Sequence, residues 1–134
     1  MDEAPPYPYE VLRRSEKPLL SLDFDGVLHR YRQGYHDGTI YDGPTPGALE
    51  FVREAQNHFL LVIHSARART LEGRRDIQVW LVKYGFPQIP ITSEKPPAFL
   101  HLDDRAATFT GTFPTPAALL EFKPWNGGKW GDKR

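Results

Sequence analysis

Cysteine is absent from this chain, and disulfides, thiolate zinc sites and cysteine nucleophiles are excluded with it. Net charge is absent as well: 17 lysines and arginines face 17 aspartates and glutamates, so no global field draws in nucleic acid or an anionic membrane. No apolar run approaches membrane-spanning length. The opening Met1-Asp2-Glu3-Ala4-Pro5-Pro6 has no basic stretch leading into an apolar one. The expectation is a soluble, cytoplasmic protein with no membrane partner. With 134 residues and no internal repeat, a single domain with its own core follows.

What the chain does have is a run of apolar residues that ends in acid. Leu19-Leu20-Ser21-Leu22 leads to Asp23, Phe24, Asp25 and then Gly26, which reads as a buried strand whose carboxyl end carries two carboxylates before a turn. Side chains two apart on a strand point the same way, so Asp23 and Asp25 are expected to converge. Two like charges that close call for a shared cation or proton. An ordinary acidic turn would look similar, because Asp-Gly is a common turn pair.

The rest alternates. Residues 1–16 hold Pro5, Pro6 and Pro8 without a clear period and read as an arm. Strand one is expected near 18–23. Residues 26–45, rich in glycine and aromatics, suggest a flap hairpin turning at Asp37-Gly38 between Tyr31/Tyr35 and Ile40/Tyr41. Pro46 opens a helix with Leu49, Val52, Ala55 and Phe59 on one stripe. Residues 59–63 form a second strand, stopping at His64-Ser65. Ile77, Trp80, Leu81 and Tyr84 mark a second helix, ended by Gly85 and Pro87. Ile89–Ile91 and Ala98–Leu102 give two further strands, the latter running into Asp103-Asp104. Thr115-Pro116 starts a last helix to about Phe122, with a brief strand near Thr108–Phe109. The glycine-rich residues 124–134 read as a flexible tail. This progression implies an α/β fold with a mainly parallel sheet. One edge would then collect Asp23, Asp25, Ser65, Asp103 and Asp104, where open sheets bind ligands.

Asp-Phe-Asp-Gly-Val after one strand, Ser65 after a second, Lys95, and Asp103-Asp104 after another together resemble the four motifs of the haloacid dehalogenase superfamily over about residues 17–123. The resemblance implies a Rossmann-like three-layer αβα sandwich and a Mg²⁺-dependent phosphomonoester hydrolase. In it Asp23 is the nucleophile that forms an aspartyl-phosphate, and Asp25 is the general acid and base. Asp23, Asp103 and Asp104 would hold Mg²⁺, with Asp104 the direct ligand, Asp103 acting through water and Asp25 contributing its backbone carbonyl. Ser65 and the backbone at Gly26 would bind phosphate, and Lys95 would balance the charge of Asp23 and the phosphate. A serine in that place also reads as an N-cap.

His29 and Arg67 are further candidates for substrate contact. Arg67, Arg69, Arg74 and Arg75 make the one dense basic patch, although a charge run is usually a solvated helix face. His58, His64 and His101 are too scattered for a zinc motif. The segments after the first motif and between Ser65 and Lys95, about 40 and 30 residues, are mostly consumed by one helix each, which leaves no room for a cap domain. A bare site suits a nucleotide, a nucleic-acid end or a sugar phosphate, and a homo-oligomer partner could supply a roof. The alternative is a non-catalytic module of the same fold that binds phosphate, metal or a protein.

Overall fold

The computed structural model describes residues 17–126; the arm at 1–16 and most of the tail lie outside them. Four strands, β1 (Leu19–Asp23), β2 (Leu60–His64), β3 (Ile91–Thr92) and β4 (Leu100–Leu102), form one sheet in the order β3-β2-β1-β4. All three pairings are parallel. β1 and β2 occupy the centre, which is why their sequences are near-continuous apolar runs, Leu-Leu-Ser-Leu and Leu-Leu-Val-Ile.

The steps from β1 to β2 and from β2 to β3 run in the same direction across the sheet. Right-handed crossovers therefore place helices α1 (Ala48–Ala55) and α2 (Leu71–Lys83) on the same face. The core bears this out: Leu20, Leu22, Leu61 and Ile63 pack with Val52 of α1 and with Ile77, Trp80 and Leu81 of α2. Each of these large side chains contributes about 1.5–3 kcal/mol on burial. The odd-numbered residue Leu19 and its neighbour Val62 point the other way and form a small separate cluster with Leu60 and Ala98. Ala98 belongs to the return from β3 to β4, so that face is crossed by the segment 93–99. Among the described residues, helices packed on the sheet are seen on one face, giving an α/β fold of parallel strands and helices.

α1 begins at Ala48, two residues after the expected Pro46, because Gly47 at φ 86° closes the preceding turn. It buries Ala48, Val52 and Ala55; of the expected stripe Val52 and Ala55 are buried, Leu49 is half in, and Phe59 lies past the end of the helix. α2 starts where Thr70 accepts from the Gly73 N–H at 3.0 Å. Gly73 is required there: a Cβ would stand 1.8 Å from the Arg67 carbonyl oxygen, so any side chain would push the helix off the turn before it.

Residues 26–45 do not form the expected hairpin. Only the ends of this loop pair, through a bridge between His29 and Pro44 and the bonds Arg30 N–H to Gly43 O and Thr45 N–H to Leu28 O, both 2.9 Å. Its interior is organised by side chains instead. The Tyr41 hydroxyl donates to Gly34 O and accepts from Gln33 N–H, and Asp37 closes an Asx turn on Thr39. Trp80 of α2 donates its indole N–H to Asp42 O at 2.9 Å, tying the loop to the core. No strand forms at 108–109, and the last helix is a single turn, α3 (Pro116–Leu119), capped by Thr115. Trp125 and Asn126, read as tail, are held: they donate to the carbonyls of Gly26 and of Arg30 and Tyr31. No helix among the described residues is long and apolar enough to cross a membrane.

Candidate functional site

Asp23 is the last residue of β1 and Asp103 and Asp104 follow β4 directly. Because Leu22 stands opposite Leu102, continuing the parallel register brings Asp23 and Asp103 side by side at the carboxyl rim. One carboxylate oxygen from each of Asp23, Asp103 and Asp104 lies within 4.8 Å of the others. Asp103 is exposed and the other two are half-buried. Asp104 reaches the rim because Gly26 leaves it space: a Cβ on Gly26, at φ 88°, would meet the Asp104 Oδ2 at 2.1 Å. The glycine that breaks the first motif therefore also seats the last acid of the group.

Asp25 takes a different path. β1 ends at Asp23, the alternation of a strand no longer governs the next residues, and the Asp25 carboxylate is not part of the three-carboxylate group. It is buried, with 4 % of its surface exposed. Its Oδ1 accepts from His29 Nδ1 at 2.8 Å, and its two oxygens accept from Arg67 Nε at 2.8 and 3.1 Å. His29 is wholly buried. Its Nε2 accepts the Asp42 backbone N–H at 3.0 Å, so the proton of the neutral ring resides on Nδ1. An imidazole enclosed in this way is engaged by Asp25 and the Asp42 backbone, which speaks against the expected leaving-group contact.

Arg67 does line a cleft, but its guanidinium is engaged: besides Asp25, it donates to the Gly38 carbonyl of the loop. The basic patch is likewise divided by the fold. Arg74 is buried and donates to the Ala68 carbonyl, whereas Arg69 and Arg75 are exposed. Ser65 is buried and caps the 3₁₀ turn Ala66–Arg69, its Oγ accepting from Arg67 N–H at 3.2 Å. The hydroxyl proton is left for another acceptor, so the capping role and a phosphate-binding role are compatible.

Lys95 is exposed on the 93–99 segment. The pKa of His101 lies below the usual histidine value. Burial is the first cause that lowers it, and the Lys95 ammonium is the second, followed by His64; Asp103 opposes them. His101 stands opposite Ser21 and His64 opposite Asp23, so the alternation of the strands puts both histidines on the face that carries Asp23. The histidines were invisible as a group in the sequence, 37 positions apart, and only the register pairs their strands around β1.

Asp42 was not foreseen either. It is buried at 7 % exposure and accepts from Arg32 Nε, Nη2 and backbone N–H. The Arg32 side-chain bonds, helped by the backbone N–H groups of Arg32 and Gly43, hold its carboxyl down at about 2 against the burial that would raise it. Scanned against protein-family models, curated proteins and solved structures, the chain finds no match.

Proposed function

We propose that the chain is a Mg²⁺-dependent phosphomonoester hydrolase of the haloacid dehalogenase type, on a Rossmann-like core without a cap domain. The observation that carries the reading is the meeting of Asp23, Asp103 and Asp104 at the carboxyl rim of a parallel sheet. The donor set fits a hard cation: all three groups offer carboxylate oxygen, and octahedral ligands about 2.1 Å from Mg²⁺ lie roughly 3–4.2 Å apart, so a separation of up to 4.8 Å needs only slight tightening. Bound there, the ion would offset the negative charge that Asp23 and a phosphate bring together.

Asp23 attacks phosphorus; the new carboxylate–phosphorus bond forms as the bond to the leaving oxygen breaks. Asp25, protonated once Arg67 has released one of its oxygens, delivers that proton to the leaving oxygen. Water then attacks phosphorus as the bond to Asp23 breaks, and Asp25 takes up the water's proton and is restored. His29 holds Asp25 in place through these steps, and Arg67 must release an Asp25 oxygen before the proton can pass. Ser65 O–H and Lys95 serve the phosphoryl oxygens, a positioning contribution that matters because the carboxylate is a weak nucleophile.

The second reading, a phosphate-binding module without turnover, is favoured by one feature: Asp25 is already held by Arg67 and His29. Hydrolysis of an aryl phosphate with Mg²⁺ separates the two. Activity abolished by Asp23→Asn supports the hydrolase. A wild-type chain as inert as Asp23→Asn across a broad panel of phosphate esters supports the module.

A further inference from the structure

Beside Asp25 a cleft of about 440 Å³ opens between the 31–39 stretch of the loop and the start of α2. We propose that it receives the leaving group of the reaction above, on which this inference rests, and that it selects alcohols carrying positive charge over alcohols carrying further anionic groups.

Its walls carry four carboxylates, Asp25, Asp37, Glu72 and Asp76, against two guanidiniums, Arg67 and Arg69, an excess of two negative charges. Pairing of Arg67 with Asp25 removes one charge of each sign and leaves Asp37, Glu72 and Asp76 against Arg69, the same excess of two. Glu72 and Asp76 stand four residues apart on one face of α2. Both are exposed, and among the described residues neither makes a hydrogen bond or ion pair. Tyr35, also lining the cleft and half exposed, offers an aromatic face of the kind that attracts ammonium groups. A second phosphate or a carboxylate on the leaving group would meet acids here, whereas an amine would meet acids and a ring. The substrates favoured are therefore amino-alcohol phosphates, and nucleic-acid ends are disfavoured.

Two measurements on the full chain test this. kcat/KM is compared for phosphocholine, glycerol phosphate and phosphoglycerate with Mg²⁺. Amide shifts of Thr39 and Gly73, which line the cleft, are followed as choline, glycerol or glycerate is added. Phosphocholine is expected to exceed phosphoglycerate by about tenfold, as a few moderately screened charges allow; choline is expected to move the amides where glycerate does not. The double variant Glu72→Gln/Asp76→Asn should bring the ratio to within about twofold. Equal or better use of phosphoglycerate, or a choline response no larger than that of glycerate, overturns the subsite. A choline response without hydrolysis of any ester upholds the subsite and overturns the hydrolase.

Discussion

Arg67 holds both oxygens of Asp25, 42 residues earlier in the chain, at 2.8 and 3.1 Å. The same guanidinium donates to Gly38 O, so one side chain joins the first motif, the turn after β2 and the loop above the cleft. Removing it strands a buried carboxylate with His29 as its remaining side-chain partner. Arg67→Ala is expected to lower unfolding free energy by about 3 kcal/mol, the usual cost of breaking one half of a buried pair. Arg67→Met combined with Asp25→Leu should cost less than Arg67→Ala alone, because no charge is then left behind. Urea denaturation of the three chains measures both numbers.

The three-carboxylate group should respond to metal. Ligand binding to the folded state alone raises stability by about 1.4 kcal/mol at ten times the dissociation constant, enough to move the melting temperature by several degrees in a domain of this size. Mg²⁺ is expected to raise the midpoint of the wild-type chain, and Asp104→Asn to remove most of the rise. Differential scanning fluorimetry with and without a chelator reads it directly.

Gly26→Ala should harm both fold and site. The backbone there sits at φ 88°, and the added Cβ collides with the Asp104 carboxylate. A loss of about 1–2 kcal/mol is expected from the backbone conformation. Displacement of Asp104 should also blunt the Mg²⁺ response, which Gly47→Ala, also at positive φ but facing open space, should preserve. Comparing the two variants in urea and in Mg²⁺ titrations separates strain from the loss of the site.

Asp42 sets an acid limit. Its carboxyl is held at about 2 in the folded chain, chiefly by Arg32, and rises to about 4 on unfolding. The unfolded state therefore binds the extra proton, and stability falls as pH drops through that window. Above about pH 4 the contribution is fully present. Asp42→Asn should take up nearly one proton fewer on unfolding between these limits. Unfolding free energies measured at closely spaced pH values give that proton count.

The sheet was largely legible because buried strands and acid-tipped ends are local patterns. Leu19–Asp23 and Leu60–His64 were each placed to within a residue, and both helices of the core by their apolar stripes. Asp23, Asp103 and Asp104 followed from strand ends alone, since a parallel sheet collects them on one rim. The loop at 26–45 was not legible, because what shapes it is distant in sequence: Trp80 holds the Asp42 carbonyl and Arg67 the Gly38 carbonyl. The Asp37-Gly38 pair does turn the chain, but no ladder follows it. The surroundings of Asp25 and His29 were not legible for a related reason. A two-residue period holds only while the strand continues, and the polar His29 gave no sign that Asp42 would enclose it.

Trp125 places an indole, 55 % exposed, on the Gly26 carbonyl, while the space where a Gly26 side chain would stand is filled by the Asp104 carboxylate. The protein thus carries an intrinsic fluorophore one residue removed from its acidic rim, and the other described indole, Trp80, lies deep in the core. An exposed indole and a buried one emit at different colours and differ in access to quenchers, so occupancy of the rim is expected to alter the emission of Trp125, a change that Trp125→Phe should remove.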